Sequence, residues 1–314
     1  MRTGRNIRWY FALAGRATTG KLFSVRQTRP KPGEGISVKE LDNLRSRAER
    51  LVRQGLADLP VEGGQWQALA VTDAGLYLDK RLVLGGEGLT GREISLSVFG
   101  VAGQAGALRA LEVMANRLDL MLANVVAAPQ ALAAITPHPE AIILDVGSAG
   151  TDICIIRDNA LVAAGWLPFG GNFFSQSLGQ ALEVPPAEAE RLKRALATGD
   201  LPQGEATWVN THLDGPRQRW YEATMDLVAR LSLKVDAQSE IFDRPLPRRI
   251  FLTGGGSLMP GLDKLLRSDP VPFDGAPEVA RLGPKSLPPV QDLTDGLNYN
   301  FYLLTLSLMV GLPE

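Results

Sequence analysis

One stretch of the sequence decides the fold, Ala141-Ile-Ile-Leu-Asp145-Val-Gly147-Ser-Ala-Gly150-Thr151-Asp152-Ile-Cys-Ile-Ile156. Two apolar runs flank a short turn with two glycines, a pattern that predicts a tight β-hairpin. Gly147 and Gly150 let the turn adopt backbone angles closed to other residues, with N–H groups left to face an anion. Thr151 adds a hydroxyl, and Asp145 and Asp152 add carboxylates suited to a hydrated Mg²⁺. Taken alone, such a hairpin is more often a plain turn than a phosphate site.

A second glycine turn follows later in the chain, in Ile250-Phe-Leu-Thr253-Gly254-Gly255-Gly256-Ser257-Leu-Met259-Pro260-Gly261. Here an apolar strand leads into three glycines and then into a helical pattern, so the backbone can approach a ligand closely. This turn is also weak evidence by itself. The two turns in this order, with the segments between them, form a much more specific pattern.

Two segments between the turns complete the pattern. The first is Leu167-Pro-Phe-Gly170-Gly171-Asn172, and the second is a helix that starts at Pro185-Pro186. Glu190 and Lys193 lie three residues apart on this helix and therefore share one face. That face either holds a ligand or carries an exposed ion pair, and the residues alone favour the ion pair.

Composition excludes several classes of protein. The 314 residues suit two lobes better than one core. With 33 basic and 34 acidic residues there is no electrostatic footprint for nucleic acid. The single cysteine, Cys154, fits a reducing cytosol, and His138 and His212 lack partners at metal-ligand spacing. No apolar run approaches the ~18 residues of a membrane span. We therefore expect a cytoplasmic protein that lacks a zinc site and a histidine-based nucleophile.

Periodicity predicts the remaining elements. Strands are expected at 9–14, 21–27, 68–71, 75–84, 94–101 and 121–126, and helices at 38–52, 107–118, 220–241, 260–266 and 299–311. Ser37 is expected to cap the first helix, and 200–213 are expected to be loop or strand. A helix of small residues begins at Ala127; it either crosses between the lobes beneath a ligand or is a plain core helix. The last helix is read as buried rather than as a membrane anchor, because it lacks a basic face.

These motifs resemble the superfamily of actin, the large heat-shock chaperones and the sugar kinases. Within it the chain is most similar to FtsA, the bacterial actin-like cell-division family, and next to PilM of type IV pilus machinery. The run from Gly86 to Val98 resembles the subdomain that FtsA inserts into its first lobe. The resemblance implies an α/β, actin-like ATPase fold with two lobes, ribonuclease H-like sheets, a small inserted α+β subdomain and an incomplete first lobe.

The implied domains follow the chain. Residues 1–32, 102–138 and 290–314 form the partial first lobe, and 33–101 form the inserted FtsA-type (SHS2-like) subdomain. Residues 139–198 and 246–289 form the second lobe with the phosphate and adenosine turns, and 199–245 form its outer part.

The chain departs from the family pattern in three places. An N-terminal segment with the first phosphate turn and the C-terminal membrane tail have no counterpart here, and Ala149 places a methyl group in the phosphate turn. The sequence leaves three explanations open: a truncated or mis-started copy, a natural short paralogue, or a protein that keeps the fold without turnover.

For an FtsA-like chain the resemblance implies an adaptor of cell division at the inner face of the membrane, at most a weak ATPase. By this resemblance we expect the adaptor to assemble with itself, to bind the tail peptide of FtsZ near 200–245, to recruit other division proteins, and to meet the membrane only indirectly. The alternative is a PilM-like cytoplasmic adaptor of pilus or secretion machinery. A sugar or acetate kinase needs a catalytic aspartate in a substrate pocket, and no residue at a matching position indicates one.

The resemblance also implies a site for ATP and Mg²⁺. Asp145 orients Mg²⁺ through water, Gly147, Ser148 and Thr151 meet the phosphates, and no catalytic residue is assigned. The full set of nucleotide-site residues that the resemblance implies is Asp145, Gly147, Ser148, Gly150, Thr151, Asp152, Gly170, Gly171, Asn172, Glu190, Lys193, Gly254, Gly255, Gly256, Ser257 and Met259.

Overall fold

A computed structural model describes most of the chain. The described residues are 8–60, 64–233, 245–268, 273, 275–283, 287 and 299–308. Their helices and strands form three sheets, of five, four and two strands, with helices packed against them.

The five-stranded sheet contains the predicted hairpin. Its strands are β7 (Ala141–Val146), β8 (Thr151–Arg157), β9 (Ala160–Leu167), β10 (Arg249–Thr253) and β11 (Glu278–Arg281). They lie in the order β11-β10-β7-β8-β9, with β8 antiparallel to its neighbours and β10 and β11 parallel to β7. This is the ribonuclease H-like order. Every residue of β7 and β8 is buried, so both faces of these strands are covered by other parts of the protein. This burial explains why their sequences are almost continuously apolar.

Helices from the middle of the chain surround this sheet. They are α4 (Gly171–Leu182), α5 (Pro186–Thr198), α6 (Gln203–His212), α7 (Asp214–Leu233) and α8 (Leu262–Ser268). The expectation of loop or strand at 200–213 is wrong, because α6 is helical there. Its mixed sequence has little helical preference, and burial of Val209 against the core selects the helix. Helix α7 begins earlier than predicted, and 234–241 lie outside the described residues.

The four-stranded antiparallel sheet carries one helix on its face. Its strands are β2 (Thr18–Thr28), β3 (Trp66–Leu78), β4 (Arg81–Val83) and β5 (Glu93–Gln104), in the order β2-β5-β3-β4. Helix α1 (Val38–Ala57) buries four side chains at helical spacing against the sheet, those of Leu44, Ala48, Val52 and Leu56. Ser37 caps this helix as predicted, since its side chain accepts a hydrogen bond from Glu40 N.

Two details of this sheet differ from expectation. The strands predicted at 68–71 and 75–84 are one long strand, β3, with register shifts in place of the break, followed by a turn at Asp79 and Lys80, both at positive φ. Strand β2 pairs along its whole length with β5, although the proposed subdomain boundaries, 33–101, leave β2 out. The sheet favours a subdomain that starts near Thr18.

The third sheet is a parallel pair, β1 (Arg8–Leu13) with β6 (Met121–Ala127). Helix α2 (Ala105–Arg117) precedes β6, and α3 (Ala128–Ala134) follows it. The small side chains of α3 allow close packing, and this helix contacts β1 and β6 as well as β8, β9 and the last helix, α9 (Tyr299–Ser307). Helix α3 therefore lies between the two-stranded sheet and the five-stranded sheet. Residue 311, the predicted end of α9, lies outside the described residues.

None of the described helices combines the length and the apolar character that a membrane crossing requires.

Candidate functional site

A cavity of about 620 Å³ opens where the hairpin turn, α4, α5 and the second glycine turn meet. Its volume lies within the usual range for small-molecule sites. Eleven of the residues assigned to the nucleotide site line it: Asp145, Gly147, Ser148, Gly171, Asn172, Glu190, Lys193, Gly254, Gly255, Gly256 and Met259. The fold thus gathers residues from four separate segments around one space.

The hairpin turn is tied to the start of α4. The carbonyls of Gly147 and Ser148 accept hydrogen bonds from the N–H groups of Gly171 and Asn172, both at 2.8 Å. Gly170 allows this approach, because a Cβ there would lie 2.5 Å from the Gly147 oxygen. The first N–H groups of α4 are therefore engaged by the hairpin and do not point freely at the cavity.

The glycines of the hairpin turn serve a different purpose from the one predicted. Neither Gly147 nor Gly150 has a positive φ, and the Gly147 N–H donates to the Gly150 carbonyl at 2.9 Å. A Cβ on Gly150 would instead lie 2.3 Å from Nε1 of Trp166. Close packing of the turn against β9, rather than unusual backbone angles, requires glycine at 150.

Asp145 faces the cavity from the end of β7. Its side chain is buried, and no donor among the described residues forms a hydrogen bond with its carboxylate. Burial raises the pKa of Asp145 from 3.8 to about 6. A buried carboxylate without a partner gains from a nearby cation, so the position fits a hydrated Mg²⁺.

Asp152 lies directly across the hairpin from Asp145 but outside this cavity. Its Oδ1 accepts a hydrogen bond from Gly15 N at 3.0 Å, which joins β8 to the turn between β1 and β2. Burial, and then the charge of Asp145, raise the pKa of Asp152 to about 7, against the lowering effect of the Gly15 hydrogen bond. Two adjacent buried carboxylates thus share one end of the hairpin.

The second glycine turn packs against the same end. Gly254 has φ 78°, and a Cβ there would lie 2.3 Å from Oδ1 of Asp145 and 2.6 Å from the Val146 oxygen. Both the backbone angle and the space therefore require glycine. A short 3-10 helix, Gly255–Leu258, follows and brings Met259 to the cavity wall.

Helix α5 contributes a charged cluster. The Glu190 carboxylate accepts hydrogen bonds from Ser175 Oγ at 2.5 Å and from Lys193 Nζ and Arg194 Nε at 2.6 Å each. Partial burial opposes ionisation of Glu190, but these hydrogen bonds outweigh it and lower its pKa to about 2. Lys193 Nζ also donates to the Gly171 carbonyl at 2.9 Å, so α5 is anchored to the start of α4.

The other assigned residues, Gly150, Thr151, Asp152, Gly170 and Ser257, do not line the cavity. Thr151 is fully buried, donates to the Phe169 carbonyl at 2.6 Å and accepts from Trp220 Nε1 at 3.0 Å. The Thr151 hydroxyl therefore does not face the cavity. This differs from the expectation that it meets the phosphates of a bound nucleotide. Ser257 is also buried, where its hydroxyl is 3.0 Å from the Arg281 guanidinium.

Sequence reasoning missed several wall residues. Arg194 and Thr198 continue the α5 face beyond Glu190, and Leu304 of α9 also lines the cavity. Arg194 was detectable, because it lies four residues after Glu190 and therefore on the same face. Leu304 was not, since only the tertiary fold brings α9 to this cavity.

Within the described ranges, no three His, Cys, Asp or Glu side chains cluster closely enough to hold a metal. The donor set fits instead an ion held largely by water and by an anionic ligand, with Asp145 as the nearby carboxylate. Lys193 and Arg194 supply positive charge, and Leu258 and Met259 supply an apolar wall. This combination suits a nucleotide with Mg²⁺.

Comparison with known proteins bears on the fold. The family described as "Cell division protein FtsA" matches residues 142–288, just under half of the chain. No curated protein matches the sequence. The structure is similar to the PilM–PilN type IV pilus biogenesis complex, with a TM-score of 0.53 and 18% identity over 94% of this chain and 77% of that one.

Two further solved structures match about half of this chain. One is the ethanolamine utilization protein EutJ from Carboxydothermus hydrogenoformans, with a TM-score of 0.41 and 18% identity over 55% of this chain and 54% of that one. The other is MreB 5 of Spiroplasma citri bound to AMPPNP, with a TM-score of 0.40 and 18% identity over 56% of this chain and 60% of that one. The predicted actin-like ATPase fold is confirmed, and so, over residues 142–288, is the resemblance to the FtsA family.

Proposed function

We propose that this chain is an FtsA-like, actin-fold adaptor of bacterial cell division that binds ATP with Mg²⁺ in the cavity between its two glycine turns. The observation that carries the nucleotide site in this proposal is the buried Asp145 carboxylate, which has no partner among the described residues and faces a cavity of about 620 Å³. The family match over residues 142–288 supports it, because those residues hold both glycine turns.

In this proposal each wall of the cavity has one task. Asp145 orients a hydrated Mg²⁺, and Gly147 and Ser148 meet the phosphates. Glu190 and Lys193 hold the ribose, and the second glycine turn with Met259 borders the adenine. When bound, the metal neutralises phosphate charge, while the protein residues position the nucleotide. The proposal assigns no general base, and in it nucleotide binding controls assembly.

The adaptor role extends the proposal to partners. The chain assembles with copies of itself and binds the tail peptide of FtsZ on the outer part of the second lobe, near 200–245, of which 234–244 lie outside the described residues. It then acts in the cytoplasm at the division site, on the inner face of the membrane.

A second candidate is a PilM-like adaptor of pilus or secretion machinery. The similarity to the PilM–PilN complex favours it, since the match extends over 94% of this chain, whereas the FtsA match is confined to residues 142–288. The partner is then the cytoplasmic tail of a PilN-like membrane protein rather than FtsZ.

Fluorescence titration with N-methylanthraniloyl-ATP tests the nucleotide site. We expect Mg²⁺-dependent binding to the wild type and binding weakened about tenfold, or about 1.4 kcal/mol, by Glu190→Gln. Glu188→Gln is the matched control, because Glu188 lies on the same helix, outside the cavity, and pairs with Arg191. Equal affinity of the two variants for the nucleotide would show that α5 is not part of the proposed site.

Peptide capture tests the partner. Immobilised peptides of the FtsZ tail and of a PilN-type cytoplasmic tail are compared for retention of the purified chain. Selective retention by the FtsZ tail supports the division role, and selective retention by the PilN-type tail supports the alternative. If neither peptide retains the chain while its nucleotide affinity is intact, both partner assignments are overturned. The proposed nucleotide site is then unaffected.

A further inference from the structure

Strand β2 is the longest edge strand in the described part of the chain. It has 11 residues and pairs with β5 on one side without a register shift. Among the described residues no strand is hydrogen-bonded to its other side, although its first half lies close to β9. The opposite edge of the same sheet is β4, with only three residues. Proteins usually keep exposed edges short or irregular, because unpaired N–H and C=O groups attract another strand. The edge of β2 is therefore unusually long and regular within the described residues, although the side chains of Ser24 and Val25 on it are buried.

A groove follows the second half of this edge. It measures about 480 Å³ and is formed by Ser24, Val25 and Arg26 of β2 and by Arg47, Arg50, Leu51 and Gln54 of α1. The α1 residues share the flank of the helix that overhangs β2. A strand added beside β2 would lie along this flank.

The groove is positively charged. Arg47 donates to the neutral amide oxygen of Gln27 at 2.9 Å, and neither Arg47 nor Arg50 forms an ion pair with any carboxylate of the described residues. Arg26 pairs with Glu93 at 3.4 Å. On the other flank of α1, by contrast, Arg45 is neutralised by Asp73 at 2.9 Å. Two exposed guanidinium groups thus remain beside the open edge.

We propose that the outer edge of β2 and the adjoining flank of α1 bind an extended acidic segment of a partner protein as an added strand. The backbone of the segment pairs with β2 near Ser24–Arg26, its carboxylates reach Arg47 and Arg50, and an apolar side chain covers Leu51. Residues two apart on a strand face the same way, about 6.6 Å apart. The two arginines lie about 4.5 Å apart along the helix axis, within reach of such a pair.

This surface shares no residue with the nucleotide cavity. It adds to the proposed function a second interface, with a partner chosen by backbone pairing and negative charge. The simpler reading is that the arginines only discourage strand pairing, as charges on open edges often do. The two readings differ in what an acidic strand does.

A labelled octapeptide of alternating Glu and Val is the probe, followed by fluorescence anisotropy. We expect it to bind the wild type, to bind less tightly at higher salt, and to bind about tenfold less tightly to the R47E/R50E double variant. Arg45→Glu is the matched control and should bind as the wild type does. An octapeptide of alternating Lys and Val should not bind.

Backbone pairing is tested with the same Glu–Val peptide methylated on alternate backbone nitrogens along one edge or the other. Because one edge of an added strand faces β2, methylation of that edge should abolish binding, and methylation of the other should not. Circular dichroism checks that the double variant is folded. The proposal is overturned if the wild type does not bind the Glu–Val probe, if the double variant binds as tightly, or if both methylated peptides bind fully.

Discussion

The carboxylate pair of the hairpin makes folding stability depend on pH. The pKa of Asp152 is about 7 in the folded protein, against 3.8 for an ordinary aspartate. Between about pH 4 and pH 7 the unfolded chain has lost a proton that the folded chain keeps. Since the folded state binds more protons there, stability falls as pH rises through this window and levels off above it.

The structure gives the size of the effect. One pKa unit corresponds to 1.36 kcal/mol, and the side chain is only 7% exposed, so solvent screening is weak. From pH 5 to pH 8, Asp152 should cost the folded state about 2 to 3 kcal/mol. Asp152→Asn keeps an oxygen that can accept from Gly15 N and removes the charge. We therefore expect most of this loss to vanish in the variant.

Urea unfolding followed by tryptophan fluorescence measures this difference at pH 5 and pH 8. The variant should gain about 2 to 3 kcal/mol over the wild type on going from the lower to the higher pH. Asp73→Asn is the control, because Asp73 is half exposed and its ion pair with Arg45 lies at the surface. If the wild type and Asp152→Asn lose the same stability between the two pH values, the reasoning about the buried pair is refuted.

Substitutions at two further positions, Gly254 and Thr151, test the packing around the hairpin, each with a matched control and each by the free energy of unfolding. Gly254→Ala should destabilise by about 2 to 4 kcal/mol, because its φ is 78° and its Cβ would meet Asp145. Gly199→Ala should cost only about 1 kcal/mol, since its φ is 81° but its surroundings are open; equal losses would contradict the steric argument. Thr151→Val should cost about 1 to 3 kcal/mol, because it leaves the buried Trp220 Nε1 without an acceptor, and Thr151→Ser should restore most of the loss. A neutral Thr151→Val would show that this hydrogen bond contributes little.

The hairpin and the resemblance of its motif to the FtsA family were predictable, because both follow from local sequence patterns. Two apolar runs around a glycine turn specify a hairpin from neighbouring residues, and Glu190 and Lys193 share a face through helical spacing alone. The meeting of both turns around one cavity followed from the resemblance rather than from any periodicity.

The parts that sequence reasoning missed depend on distant contacts. The Thr151 hydroxyl points into the core because its acceptor and donor, Phe169 O and Trp220 Nε1, come from other segments. Asp152 does not line the cavity, because its carboxylate accepts a hydrogen bond from the backbone N–H of Gly15, 137 residues away. Helix α6 also depends on burial rather than on its own composition. None of these partners can be identified from spacing along the chain.

The central claim is that the cavity beside Asp145 binds ATP with Mg²⁺, and calorimetry of that binding tests it most directly. At about pH 8, where the carboxylate with a pKa of about 6 is charged, the account predicts binding to the wild type and to Asp73→Asn. Asp145→Asn should weaken the Mg²⁺-dependent binding by about tenfold or more. The wild type should also bind less tightly at about pH 5.5, because protonated Asp145 no longer attracts the metal. Absence of binding at pH 8, or binding that is unchanged in Asp145→Asn, would contradict the account.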